Sequence, residues 1–225
     1  MFKHFLFLPF FFCTFVAPAQ YDAECFINTK KEVRLAVESA IKQPGDSVYI
    51  KDSIFVNGVK RYIDTAMRVW HLEDDPYVKR FVGCRMPDFS FFTVQKNEMS
   101  VNSIRSDFTI INFSSTTYGD VSNARMHQLC KLKKRLNDSL TVLNIFADND
   151  KQVLAYAANY EENVEFVANA DLITYNYTFN GGAIIYVLDK YKNIIYVKSG
   201  HNYRDTPDEI YSELLELIRA SNCSD

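Results

Sequence analysis

Between residues 88 and 220, short apolar runs of strand length alternate with longer segments of helical period. A chain patterned this way has to build a sheet and pack helices on it. Two of the runs, Thr109 to Phe113 and Leu140 to Ala147, lack the polar alternation of a half-exposed strand and read as central strands buried on both faces. Asp88 to Val94 and Val164 to Val167 are further strand candidates. Ile184 to Leu188 and Ile194 to Val197 flank the turn Asp189-Lys190-Tyr191-Lys192-Asn193 and read as a hairpin. Asp120 to Asn137 is helical, with Val121, Ala124, Leu129, Leu132 and Leu136 on one face. Lys151 to Asn159 is an alanine-rich helix. Thr206 to Ala220 is an amphipathic one, with Pro207 in its first turn and Ile210, Leu214, Leu217 and Ile218 facing inward.

This pattern begins near Val82-Gly83, which divides the chain into a region from 83 to 225 and a smaller one from 20 to 82. In the smaller region Lys30 to Lys42 reads as a helix stopped by Pro44-Gly45. Ser47 to Phe55 reads as a strand that returns through Tyr62 after the turn signal Asn57-Gly58. Ala66 to Leu72 is a short helix candidate. About sixty residues bury too little surface for much independent stability, so this α+β extension is expected to pack on the larger region.

Residues 1–19 read as a signal peptide. Lys3 and His4 form a polar start, Phe5 to Val16 is apolar but too short for a bilayer span, and Ala17-Pro18-Ala19 supplies small residues for cleavage before Gln20. A retained anchor is the alternative; otherwise no transmembrane segment is expected after cleavage. Four cysteines then remain: Cys25, Cys84, Cys130 and Cys223. In an oxidising compartment they allow one or two disulfides. Cys25 with Cys223 or Cys25 with Cys84 would staple the extension to the domain, and Cys84 with Cys130 is one pair that a redox cycle through these cysteines could use. The net charge of −3 and the absence of a long basic run argue against a nucleic-acid partner.

Three phrases sharpen the fold. Met86-Pro87-Asp88-Phe89 resembles the "aPdF" opening of the redoxin and TlpA/ResA-like thioredoxins, and Ile110-Ile111-Asn112-Phe113 resembles their "vvlNFW" strand. Val187-Leu188-Asp189-Lys190 resembles their "fLIDkdG" strand and turn, and Asn193-Ile194-Ile195 the "GkIv" beyond it. The resemblance covers residues 83 to 220. It implies a thioredoxin-like three-layer α/β sandwich: a central mixed sheet flanked by helices, of the bacterial envelope type.

The same resemblance locates a loss. Where the family carries "WATWCGPC", this chain has Ser114-Ser115-Thr116-Thr117-Tyr118-Gly119-Asp120-Val121. Gly119 is retained, but Tyr118 and Val121 stand at the two cysteine positions. Ala183 stands where the family has its cis-proline, so a trans bond or a rearranged loop is expected there. Dithiol exchange needs a thiolate at the helix start and a second thiol one turn away. Cys130 is nine residues beyond Val121, roughly 13 Å along a helix.

The remaining polar groups have structural readings beside functional ones. Asp120 is a helix cap or part of a remodelled pocket. Ser114, Ser115, Thr116, Thr117, Tyr118 and Asp120 form a candidate ligand or partner edge, although turn chemistry also explains such a run. Asp148-Asn149-Asp150 starts like a calcium loop but lacks the later ligands, so a helix cap is the expectation. His71, His127 and His201 show no ligand spacing, and Tyr156, Tyr160, Tyr175 and Tyr177 read as aromatic packing or a partner surface. These residues suggest an exported, non-catalytic binding or scaffold module with an envelope protein or peptide partner and no cofactor or metal. The alternative is a thiol-disulfide oxidoreductase or antioxidant protein acting through non-motif cysteines.

Overall fold

A computed structural model describes residues 24–32, 53–56, 59–62, 78–160, 164–178, 183–199 and 207–222. A helix, α1, covers 24–32. Strands β1 (Ser53–Val56) and β2 (Val59–Tyr62) form a separate antiparallel pair with the expected two-residue connection. Next in the chain are β3 (Ser90–Phe92), β4 (Glu98–Ser100), β5 (Phe108–Ser114), α2 (Gly119–Leu136), β6 (Leu140–Phe146), α3 (Asp150–Ala157) and β7 (Glu165–Val167). The chain continues through α4 (Asp171–Tyr177), β8 (Ile184–Leu188), β9 (Ile194–Ser199) and α5 (Pro207–Asn222).

The central sheet has the order β7-β6-β5-β8-β9. Strands β5, β6 and β7 run parallel, and β8 and β9 join antiparallel. All seven residues of β5 are buried, as the unalternating sequence anticipates. One face of the sheet carries Ile110, Val142 and Val187 against Met126, Leu129 and Leu132 of α2 and Leu214 and Ile218 of α5. The other carries Ile111, Phe113, Leu143 and Tyr186 against Phe26, Phe81, Phe91 and Tyr177. This is the expected mixed sheet flanked by helices.

Several details differ from the sequence reading. Helix α1 begins six residues before the expected Lys30 to Lys42 segment and shares Lys30 to Glu32 with it; the residues of that segment from 33 onward lie outside those described, as do the 66–72 candidate and residues 1–19. Strand β3 pairs with β4 rather than entering the central sheet, to which the segment is linked by one bridge, Thr93 with Val167. Helix α4 is hidden in the sequence by its brevity and its aromatic, β-branched composition. In α2 the buried side is Ser122, Arg125, Met126, Gln128, Leu129, Cys130 and Leu132, with Ala124 and Leu136 only half-buried. Polar residues at the first two buried positions disguise that stripe. In α5, Leu215 joins Leu214 and Ile218 in the core.

The N-terminal helix is part of the second layer. Phe26 is 2% exposed and its ring centroid lies 4.9 Å from Phe81 and 5.4 Å from Tyr177. Lys30 donates to the carbonyls of Tyr175, at 2.7 Å, and Asn176, which close the C-terminal turn of α4. A disulfide joins Cys25 to Cys84 across 59 residues. It selects one of the pairings left open and excludes both Cys25 with Cys223 and Cys84 with Cys130. Cys223 itself lies outside the described residues.

A crosslink closing a loop of this length is worth about 4 kcal/mol through the unfolded chain. Cys25→Ser and Cys84→Ser are therefore each expected to lower the unfolding free energy by several kcal/mol. Urea titration of wild type with and without reductant should reproduce the same loss.

Candidate functional site

The end of β5, the start of α2 and the end of β6 meet at one edge of the sheet. Parallel register sets Ser114 opposite Phe146, so both strands release their chains on that side. Antiparallel register sets Ile184 opposite Phe113, which brings buried Ala183 to the same edge. The peptide bond before Ala183 involves a residue outside those described. Residues Thr116–Tyr118 form a 3-10 turn capped by Ser115, whose hydroxyl accepts the Thr117 N–H at 3.2 Å. Gly119 then opens α2 with φ 61°. An added Cβ would meet nothing within 4 Å, so it is the left-handed backbone that calls for glycine here, not crowding.

Asp148, two residues beyond β6, organises this loop. Its carboxylate accepts the Thr116 N–H at 3.0 Å, the Thr116 hydroxyl at 2.9 Å and the Ser115 hydroxyl at 3.4 Å. From sequence Asp148 belongs with a helix cap. In the fold Asn149 caps α3, in a reciprocal pair with Gln152, which leaves Asp148 for the neighbouring loop. Only the tertiary pairing of β5 with β6 could reveal that role.

A second, buried branch runs beneath. Ser114 Oγ lies 3.0 Å from Ser122 Oγ, which lies 3.0 Å from the Tyr156 hydroxyl. The Tyr160 hydroxyl donates to Asn123 at 2.9 Å. Behind them Asn112 Nδ2 donates to Asn144 Oδ1 at 3.0 Å, across β5 and β6. The candidate edge is thus split: Ser114 faces the interior, Ser115 and Thr116 are held by Asp148, and Thr117 and Asp120 are exposed. Asp120 sits in the first turn of α2, while Tyr118 holds the cap position without a side-chain cap bond. Val121 is the third residue of the helix.

The phenols of this region resist ionisation. Burial raises the pKa of Tyr118, and the Asp148 charge raises it further. Burial also raises Tyr156, against an opposing hydrogen bond from Ser122, and raises Tyr160, aided by Tyr156. On the other face burial, with the charge of Asp88, pushes Tyr177 up to about 12. Tyr156 and Tyr177 are packed as the sequence suggests, whereas Tyr175 is 67% exposed.

The described thiol chemistry lies elsewhere. Cys84 is buried and bonded to Cys25 in the layer containing Phe26, while Cys130 is buried on the α2 side of the sheet and forms no disulfide among the described residues. The sheet separates them, so the Cys84–Cys130 couple that the sequence allows does not form. His127 is exposed and its ring packs 5.2 Å from that of Tyr160; His71 and His201 lie outside the described residues.

No protein-family model and no curated protein matches the chain. Solved structures do. The peroxidoxin BcpB from Mycobacterium tuberculosis aligns with TM-score 0.53 at 14% identity, covering 62% of this chain and 96% of its own. A thiol peroxidase from Chromobacterium violaceum aligns with TM-score 0.53 at 13% identity, over 64% and 89%. A protein described as the thiol:disulfide interchange protein DsbE, from Chlorobium tepidum, gives 0.53 at 10%, over 62% and 96%. At these identities the likeness establishes a thioredoxin-like fold.

The site generates two expected outcomes. Removing the Asp148 charge strands the Ser115–Thr116 donors, so Asp148→Asn is expected to cost about 1–3 kcal/mol. The Thr116→Val loss should be mostly absorbed in the double variant, as a double-mutant cycle by urea unfolding would measure. The raised phenols bind their protons more tightly folded than unfolded. Their contribution is therefore complete below about pH 10 and is lost as pH rises through the folded values. Unfolding free energy should be insensitive to these groups at neutral pH and fall steadily above about pH 10.

Proposed function

We propose that this chain is an exported thioredoxin-fold protein that serves as a non-catalytic binding or scaffold module of the cell envelope. The observation that carries the reading is Tyr118 at the cap of α2. Thiol exchange needs an ionised sulfur at that helix start. Here a phenol occupies it, kept neutral by burial and by Asp148. Val121 supplies no resolving thiol, and Cys130 is buried within the helix packing. The exposed groups Thr117 and Asp120 offer hydrogen bonds to an envelope protein or peptide partner.

Export is supported by the signal-like residues 1–19 and by the Cys25–Cys84 disulfide, a bond that persists in oxidising compartments. Mass spectrometry of the protein recovered from an envelope fraction should find Gln20 at its start.

The names of the structural neighbours favour an oxidoreductase as the second reading. Insulin reduction separates the two. With dithiothreitol present, the mature protein is expected to give the rate of the reductant alone, and to trap no mixed disulfide. A rate above that level which disappears in Cys130→Ser or Cys25→Ser would overturn the non-catalytic reading in favour of chemistry at non-motif cysteines.

A further inference from the structure

The opposite end of the sheet carries a feature that the hydroxyl edge does not explain. Register Thr109 with Leu188 places the β8–β9 turn beside the beginning of β5, away from Ser114. A cleft of about 560 Å³ opens there. Arg85 reaches it from the segment before β3, Arg105 and Asn102 from the segment between β4 and β5, and Lys190 and Lys192 from the β8–β9 turn. Four cationic side chains from three separate stretches of chain line one concavity.

Two carboxylates of these segments accept hydrogen bonds from neighbouring N–H groups. Asp189 accepts the N–H groups of Tyr191 and Asn193, each at 2.8 Å, and the Asn193 side-chain amide at 2.9 Å. Asp88 accepts the Asn102 N–H at 2.9 Å.

Lys192 is the informative member. It is 4% exposed, and its Nζ is buried with no hydrogen-bond acceptor. Its φ is 70°, in the left-handed region where glycine is the default residue. A lysine there accepts backbone strain and also places an amine out of water. Burial and the neighbouring Arg105 lower its pKa, with Asp189 opposing them. A buried amine with three donors and no acceptor is a costly arrangement until an acceptor arrives. Arginine forks beside it are shaped for two-oxygen contacts.

We propose that this cleft binds the phosphate-type oxyanion of a small soluble molecule, with Lys192 at its floor and Arg85, Arg105 and Lys190 around it. The concave, convergent arrangement suits a compact, multiply charged oxyanion, whereas a membrane surface would meet charges spread over a plane. The site is independent of the reading of the Tyr118 edge.

The test uses calorimetric titration of the mature chain with inorganic pyrophosphate and with inorganic phosphate at pH 7, together with thermal melts. Saturable one-to-one pyrophosphate binding is expected, accompanied by a rise in melting temperature. Lys192→Gly suits the left-handed turn, so it should fold at least as stably as wild type yet bind at least tenfold more weakly. Arg105→Gln, at a second position, should weaken binding to a similar degree. Absence of binding to wild type, or equal binding by Lys192→Gly, would overturn the proposal. So would association with phosphatidylglycerol vesicles without any binding of pyrophosphate or phosphate, which would assign the charges to a membrane surface.

Discussion

The rest of the architecture depends on the burial of β5 from both sides. A seven-residue strand with no exposed position gives up solvent on two faces, so two layers must be supplied. Helices α2 and α5 supply one from within the alternating part of the sequence. The other is assembled from shorter pieces: the β3–β4 ribbon, α4 and Phe26 of the N-terminal helix. Because Phe26 belongs to that layer, its anchors acquire a purpose. The Cys25–Cys84 bond and the Lys30 contacts at the end of α4 hold an otherwise short helix over Phe81, Tyr177 and Tyr186. The entropy of ordering so few residues would be hard to offset by one buried ring alone.

The first layer is legible in the sequence because its signals are local. Apolar continuity marks β5 and β6, and helical period marks α2 and α5. The second layer is less visible because its elements are brief. Strands β3 and β4 have three residues each and α4 has seven, too few for a period to establish itself. The site shows the same contrast. Gly119 at the helix start can be placed from sequence, since a positive φ has a residue preference. Asp148 cannot. Nothing in Asp148-Asn149-Asp150 distinguishes the carboxylate that caps its own helix from one that serves a loop thirty-two residues earlier. Strand pairing decides it.

The disulfide illustrates how geometry removes alternatives that counting leaves open. Several cysteine pairings are formally equivalent in a sequence. In the fold, Cys84 and Cys130 lie in core layers on opposite sides of the sheet. A redox couple between them would require the central layer to be breached. Cys25 is brought to Cys84 by the same packing that buries Phe26, so the bond reinforces a contact the apolar side chains already favour.

The two ends of the sheet also differ in how they meet their polar requirements. At the C-terminal end of β5 the charge of Asp148 is matched by the donors of Ser115 and Thr116, and the buried Ser114–Ser122–Tyr156 branch continues inward. The loop there is closed upon itself, and its hydroxyls act first as structure. At the other end positive groups converge while Asp189 and Asp88 are engaged by backbone donors. A set of like charges gathered in a concavity raises the energy of the empty state through mutual repulsion and desolvation. A folded chain tolerates such a cost at positions where an incoming group can relieve it. The two ends therefore differ in kind: at one the Ser115 and Thr116 donors are matched by Asp148, and at the far turn Lys192 holds a buried Nζ without an acceptor in a glycine-like conformation.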